Sequence, residues 1–134
     1  MSMNYIMRIA NDEFESSVFS RRAYYTAMRR RWSKDTKILF VKKGESGDTF
    51  IGYAVVDRVI GIDKMDMNDK KICLENGWSD KVIFSRLTRL EPPIPVKSTM
   101  VSRWPQKGAL LHGVSISDDD LKVIIDSAVA KINY

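Results

Sequence analysis

A predicted β-hairpin near the middle of the chain sets the strongest limit on the fold. Lys37 to Val41 is a compact apolar run, and residues 44–48 supply a turn that contains two glycines. Residues 50–60 form a second β-prone run, which Gly52 interrupts. A glycine inside a strand commonly marks a bulge or a sharp bend, of the kind that small barrels use to close. The pattern therefore predicts an antiparallel pair that bends at Gly52.

The segments before and just after the hairpin predict helices, one strand and a loop. Residues 4–9 are a short β-prone run, and Asp12 can cap a helix that follows it. A helix is also predicted from residue 21 onward, because three large side chains recur at spacings of three and four: Tyr25, Met28 and Trp32. Residues 61–76 are polar, with aspartates at 63, 66 and 69, and are predicted to be a loop.

The second half of the chain completes an α+β pattern. Residues 81–90 alternate as a strand should, and the prolines of residues 91–95 are expected to end its pairing. Residues 109–116 are predicted to be a short strand, and Ser117 to cap a last helix whose apolar stripe reaches Ile132. The order predicts a single α+β domain over residues 1–134, a small β-barrel of antiparallel or mixed strands with flanking helices.

Positive charge is concentrated in one segment. Residues 20–43 contain nine of the 22 Lys and Arg residues but only one of the 17 acidic residues, Asp35. The segment also holds Tyr24, Tyr25 and Trp32, and cations beside aromatic rings are typical of sites for single-stranded nucleic acid. A solvated basic helix, with these rings in the core, is the alternative. The candidate phosphate-binding residues are Arg21, Arg22, Arg29, Arg30, Arg31, Lys42 and Lys43.

Several classes of site are disfavoured by what the sequence lacks. The chain has one cysteine, Cys73, and one histidine, His112, so the usual zinc ligand sets are missing and no metal or cofactor is expected. No apolar run approaches the length of a membrane span, and no membrane partner is expected. The N-terminal residues do not resemble a signal peptide, and a lone cysteine fits a reducing compartment, so a cytoplasmic location is expected.

The hairpin sequence resembles the central hairpin of the PUA-like superfamily, in particular its YTH and EVE branches. An apolar strand, a short glycine turn and an aromatic residue near Gly-x-Ala occur in that order over residues 38–54. Other short matches lie at residues 4–14, 18–20, 90–95, 103–104 and 114–121. The resemblance implies a small β-barrel with flanking helices, and a pocket that accepts one nucleobase, often modified, between aromatic walls.

The same resemblance implies candidate residues for the base pocket. Phe19 stands where a YTH cage has its first tryptophan, and Ser20 stands beside it. Trp104, with Arg103 next to it, and Trp78 are the candidates for the remaining pocket surface. Phe in place of Trp at residue 19, and the lack of an aromatic residue in 61–76, depart from the YTH pattern and argue against a strict reader of methylated adenine.

These features predict a non-enzymatic domain that binds nucleic acid, RNA more than DNA, with one base in the pocket and phosphates on the basic segment. The alternative is a small amidohydrolase acting on modified nucleosides, as in the related ASCH branch of the superfamily. Lys42 with Glu45 is then the nearest candidate pair, although that branch's Gly-x-Lys-x-x-Glu-x-Arg signature is missing. A third hypothesis is a basic surface that docks an acidic protein.

Overall fold

The computed structural model describes residues 4–28 and 32–134, which form a seven-stranded mixed sheet and three α-helices. The strands are β1 (Asn4–Arg8), β2 (Ala23–Thr26), β3 (Lys37–Gly44), β4 (Gly47–Gly61), β5 (Asp80–Pro95), β6 (Val114–Ile116) and β7 (Ala130–Asn133). The helices are α1 (Asp12–Arg21), α2 (Met67–Asn76) and α3 (Asp118–Asp126). Short 3₁₀ turns lie at Ile62–Lys64, Val96–Ser98, Met100–Arg103 and Gly108–Leu111. The α+β prediction is confirmed.

The sheet is strongly bent but is not a closed barrel, so that part of the prediction is wrong. Its strand order is β2-β5-β4-β3-β1-β6, with β7 also pairing with β5. Among the strands that the structure describes, only β1 and β3 run parallel, and β6 is three residues long. Three strands separate β1 from β2, yet the Tyr24 hydroxyl donates to the Arg8 carbonyl at 3.0 Å. The C-terminal end of β1 and strand β2 therefore meet through a side chain rather than through backbone pairing.

The predicted hairpin is confirmed as β3 and β4, including the irregularity at Gly52. The pairing of β4 with β5 shifts register between Phe50 and Gly52, and two further shifts follow near Val56. A Cβ on Gly52 would lie 2.6 Å from the Thr88 carbonyl oxygen and 2.9 Å from Phe19 Cζ. Glycine is therefore required here by close approach of backbone and ring, which lets the bent sheet pack against α1.

Side chains alternate between two cores because each central strand is covered on both faces. On β1 and β3, Met7 and Phe40 point into the core beneath α1, which also contains Val18. Their neighbours in sequence point into the other core, beneath α3, where Leu39 packs near Leu121. This two-sided burial explains the continuous apolar run of β3. It also leaves polar residues at the ends of the strands, where a site can form.

The predicted helix over residues 21–32 is wrong at its start, where the structure has strand β2. Arg22 adopts a left-handed conformation with φ of 54°, which ends α1, and the chain then pairs with β5 from Ala23 onward. All four residues of β2 are buried, so tertiary packing outweighs the helical spacing. α1 is capped by Asn11, whose side chain accepts from the Phe14 amide, rather than by Asp12.

The predicted loop over residues 61–76 is also wrong, because residues 67–76 form α2. Asp66 caps this helix by accepting from the Asp69 amide at 2.8 Å. Only Asp69 and Cys73 are buried on α2, while Met67 is exposed, so an apolar stripe is nearly absent from the sequence. In the sequence, the capping residue Asp66 is the feature that indicates this helix.

Three further corrections concern the second half of the chain. β5 continues through the prolines, because residues 90–93 bulge opposite the single residue Ile51 and need no ladder donor toward β4 there. The strand predicted over residues 109–116 shrinks to Val114–Ile116, since a 3₁₀ turn occupies Gly108–Leu111. The last helix ends at Asp126, and Ile132 lies on β7 instead. The Ser117 cap and the start of this helix are confirmed.

Candidate binding cleft

A cleft of about 1050 Å³ opens between the C-terminal end of β1 and strand β2. α1 contributes a row of hydroxyls from Ser16, Ser17 and Ser20 to its lining. Further lining residues come from the C-terminal end of β1, from strand β2, from the C-terminal turn of α2 and from His112. The cleft is large because β1 and β2 do not pair, so the opening between them is not filled by a ladder.

Three aromatic side chains are packed together at the cleft. Trp78 is half-buried and stacks on Tyr25 with ring centroids 5.9 Å apart and planes 11° apart. Phe14 meets Trp78 edge-on at 5.3 Å. Gly77 has a φ of 71°, and this left-handed residue ends α2 and turns the chain so that the Trp78 amide bonds back to the Cys73 carbonyl. The indole is therefore held at a fixed place on the cleft wall.

A buried polar network lies behind these rings. Asp69 is only 6% exposed and accepts from the Tyr25 hydroxyl at 2.7 Å and from Lys81 Nζ at 2.8 Å. Arg21 donates to the Tyr25 hydroxyl at 3.4 Å, and its guanidinium lies 4.0 Å from the Asp69 carboxylate. Two cations thus share one carboxylate, so the network carries a net positive charge. Arg21 is the half-exposed member that lines the cleft.

These contacts shift the pKa of both acidic partners. Burial alone would raise the pKa of Asp69, but hydrogen bonds from Lys81 and Tyr25, with the charges of Lys81 and Arg21, hold it below its ordinary value. Burial, together with the hydrogen bond to the Asp69 carboxylate, raises the pKa of Tyr25 to about 12. At neutral pH the network therefore consists of a carboxylate and a neutral phenol.

The β1 side of the cleft is polar. His112 is half-buried, and its Nδ1 accepts from the Arg8 backbone amide at 2.9 Å, which places the proton of the neutral ring on Nε2. The Arg8 guanidinium is paired with Asp48 at 2.6 Å. The Arg8 carbonyl accepts from Tyr24, whose pKa burial raises. His112, Arg8 and Tyr24 all line the cleft.

The sequence-predicted pocket residues divide between the cleft and the core. Ser20 and Trp78 line the cleft, as does Arg21 from the predicted phosphate set. Phe19 does not: it is 4% exposed, with the Arg89 guanidinium 3.9 Å above its ring. Helical geometry explains the difference, because adjacent positions on α1 point in different directions, Phe19 toward the sheet and Ser20 toward the cleft.

Arg103 and Trp104 are not brought to the cleft. Arg103 is the last residue of the 3₁₀ turn at Met100–Arg103, and Trp104 follows it. Trp104 packs against the core beneath α3, on the other face of the sheet from α1. Arg103 is exposed there. In this chain the aromatic residue beside a cation therefore packs against the core and does not form part of the cleft.

The predicted phosphate-binding residues are also dispersed. Arg22 donates to the Tyr134 carbonyl and to the Ser85 carbonyl, which fixes it at the β5 edge. Lys42 is ion-paired with Asp12 and Glu15. Lys43 is exposed on the hairpin. The predicted residues Arg29, Arg30 and Arg31 lie outside the residues that the structure describes.

The candidate catalytic pair of Lys42 and Glu45 is not brought together as a reactive site. Hydrogen bonds to Asp12 and Glu15 raise the pKa of Lys42, whereas a nucleophilic or basic lysine requires a lowered pKa. Glu45 is exposed in the hairpin turn. Lys42 is therefore bound as a cation between two carboxylates of α1.

Sequence reasoning missed several residues of the cleft. Phe14 and His112 line the cleft, and Asp69 lies behind its aromatic residues. These three residues come from separate parts of the chain, and nothing in the sequence connects them. Tyr25 was assigned to a helical core stripe, although its hydroxyl bonds to a carboxylate 44 residues away. Within residues 4–28 and 32–134, no group of His, Cys, Asp and Glu side chains could hold a metal ion. In the same part of the chain, no helix is long and apolar enough to cross a membrane.

We expect stability to fall in acid because Asp69 and Glu15 both have lowered pKa values in the fold. For Glu15, burial would raise the pKa, but hydrogen bonds from Arg89 and Lys42 lower it. The ordinary values are 3.8 for Asp and 4.5 for Glu, so the stabilisation is complete above about pH 5 and is lost as pH falls through the folded-state values. Urea midpoints measured from pH 7 to pH 2.5 should decline below pH 5, and less steeply in Glu15→Gln. A flat profile would contradict the assignment.

Comparison with known proteins identifies the fold. No protein-family model matches the chain, and no curated protein sequence matches it. The crystal structure of ASCH from Zymomonas mobilis is similar with a TM-score of 0.62 at 9% identity, covering 93% of this chain and 95% of that one. A Ser→Ala variant of that protein gives a TM-score of 0.64 at 8% identity, covering 93% and 96%. A Tyr→Phe variant gives 0.61 at 9%, covering 93% and 98%. The chain therefore has a fold like that of these ASCH structures, which agrees with the expected PUA-like fold.

Proposed function

We propose that this chain is a non-enzymatic, single-domain nucleic-acid-binding protein that holds a base of RNA in the cleft between α1, β2 and α2. One observation carries the proposal. A half-buried tryptophan, Trp78, and a half-exposed arginine, Arg21, line the same cleft, and Tyr25 contacts both of them. Aromatic surface beside a cation is what an unstacked base and its phosphate require.

The rigidity of the aromatic group supports base stacking. Trp78 is held by Tyr25 on one side and by the edge of Phe14, so little freedom is lost when a base stacks against it. Stacking on such a ring contributes about 1 to 3 kcal/mol per base. Trp78 and Tyr25 are thus the aromatic wall of an EVE- or YTH-type pocket, in place of the predicted Phe19 and Trp104.

The Arg21 guanidinium is the candidate phosphate contact in this cleft, whose lining also includes the carboxylates Glu13 and Glu75. Asp69 carries one negative charge and is already neutralised by Lys81, so the Arg21 charge is in excess. Arg29, Arg30 and Arg31 follow Met28, a residue of the cleft lining, directly in the sequence. These residues extend the positive charge of the segment, and we assign them to the neighbouring phosphates.

The hydroxyl-rich wall favours RNA over DNA. Ser16, Ser17 and Ser20 all line the cleft on α1, and each hydroxyl can donate to or accept from a ribose 2′-hydroxyl. The buried single cysteine, Cys73, fits a protein that works in the reducing cytoplasm. The ion pairs of Lys42 with the α1 carboxylates support a binding role over the amidohydrolase alternative, because they hold this lysine as a cation.

Substitution of Trp78 or Arg21 should weaken RNA binding. We expect Trp78→Ala to lower affinity for a short single-stranded RNA about tenfold, within the range of one lost stacking contact. Arg21→Ala should lower affinity and reduce the salt dependence by about one phosphate contact. Fluorescence anisotropy at several salt concentrations measures both effects. DNA of the same sequence should bind more weakly.

Matched controls lie on the other face of the sheet. Trp104→Ala removes a tryptophan of similar burial, and Arg103→Ala removes an exposed arginine, both far from the cleft lining. Both should bind RNA as the wild type does once folding is confirmed by circular dichroism. Equal losses in the cleft and control variants would refute the assignment to this cleft.

A further inference from the structure

We propose that the cleft binds a single-stranded stretch of at least two nucleotides, with the first base on Trp78 and the second on His112. This inference rests on the proposed function, and it changes the ligand from one extruded base to a short strand. It is carried by the size of the cleft and by two separate ring-bearing groups in its lining.

The cleft is larger than one base requires. Pockets for drug-sized ligands span about 300 to 1000 Å³, and a nucleobase is smaller than most such ligands. At about 1050 Å³ this cleft lies at the top of that range. A single base against Trp78 would therefore leave most of the volume to water, whereas adjacent nucleotides of one strand would fill it.

The second ring lies on the other side of the opening. Trp78 belongs to the β2 side, because it stacks on Tyr25 and the next residue, Ser79, bonds to the Thr26 carbonyl at 3.1 Å. His112 belongs to the β1 side, because its Nδ1 accepts from the Arg8 amide. Three strands separate β1 and β2 in the sheet. A single strand of RNA that crosses the opening would contact the rings of both Trp78 and His112. Histidine is among the side chains on which RNA bases stack.

The connecting backbone has partners along the same path. Arg21 is the cation next to the Trp78 group, through the hydroxyl of Tyr25. Ser16 and Ser17 line the cleft one turn earlier on α1, toward its N-terminal end. A phosphate on Arg21 and a ribose against the serines would then join two stacked bases. The class of ligand is an unpaired RNA segment, not a free nucleoside.

A length series on the intact protein tests the proposal. The probes are adenylates and uridylates of one, two, three, four and eight nucleotides, each titrated by calorimetry in 0.3 M salt to suppress contacts from charge alone. We expect affinity to rise at least fivefold from one to two nucleotides, which is the low end for one added stacked base. The gain should level off by four nucleotides.

Substitutions at His112 locate the second base. His112→Ala removes the ring, and His112→Asn removes the ring but keeps an oxygen that can accept from the Arg8 amide. Both should abolish the gain in affinity from one to two nucleotides, whereas Trp78→Ala should weaken the binding of every length alike. Circular dichroism checks that each variant is folded.

The failures of the two proposals differ. Mononucleotides that bind as tightly as tetranucleotides would overturn the strand proposal and leave the single-base function standing. A length gain that survives in both His112 variants would overturn the placement of the second base. No binding at any length would overturn the proposed function itself.

Discussion

Asp69→Asn is expected to lower the free energy of unfolding at pH 7 by about 3 kcal/mol, the low end for removing one partner of a buried ion pair. Asp69 is 6% exposed, and its carboxylate is paired with Lys81 at 2.8 Å. The neutral amide would leave the Lys81 ammonium, whose side chain is 20% exposed, without its counter-charge. Urea denaturation followed by tryptophan fluorescence measures the change. RNA affinity should fall as well, because Tyr25 and Arg21 lose the group that positions them.

The matched control is Asp126→Asn, at an exposed pair on α3. Asp126 lies 2.5 Å from Lys122 in an i,i+4 arrangement, and its side chain is 53% exposed. Such an exposed pair contributes little to stability, because water and salt screen the two charges. The same chemical change should therefore cost several times less on α3 than on α2. Equal costs at the two positions would show that the buried network does not stabilise the fold.

Elements whose residues are fixed by local pattern could be predicted from the sequence. β3 and β4 follow from two β-prone runs with a glycine turn between them, and the start of α3 follows from Ser117 and the acidic turn after it. The irregularity at Gly52 was also foreseen. Each of these depends on neighbours within a few residues, which is why the pattern sufficed.

Elements fixed by distant partners could not be predicted. Tyr25 and Met28 have helical spacing, but β2 forms because β5 offers an unpaired edge at Asp80–Ile83. The prediction of a closed barrel was wrong for a related reason. Whether β2 and β6 meet depends on the summed twist and on the bulges of the intervening strands, which no short motif encodes.

The site shows the same division. Charge and resemblance led to Arg21, Ser20 and Trp78, all of which line the cleft. They also led to Phe19 and Trp104, which pack in the two cores. The residue type of an aromatic side chain does not tell which face of a helix or sheet it lies on. The direction of a side chain is set by its packing, which involves residues far apart in the sequence. For the same reason, the hydrogen bond between Tyr25 and Asp69 could not be predicted from the sequence.

Gly52→Ala is expected to destabilise the fold by about 3 kcal/mol, at the upper end for overpacking a well-packed core. The new methyl would lie 2.6 Å from the Thr88 carbonyl oxygen, which belongs to the backbone of β5 and cannot rotate away. It would also lie 2.9 Å from Phe19 Cζ, so α1 would have to move outward. Because α1 carries the serines and Arg21, RNA affinity should fall together with stability.

Gly61→Ala is the control, since it adds the same methyl at the C-terminal end of β4, whereas Gly52 lies inside the strand. The new methyl would lie 3.1 Å from an Asp63 carboxylate oxygen, the end of a side chain that can rotate, and the φ of Gly61 is −73°. Lower entropy in the unfolded chain should offset the contact, so the change should stay within about 1 kcal/mol. Thermal unfolding of the two variants under identical conditions decides the matter. If Gly52→Ala were as stable as Gly61→Ala, β4 and β5 could separate at the bulge without a loss of stability. The close packing of α1 on the bent sheet would then not be the reason for glycine at this position.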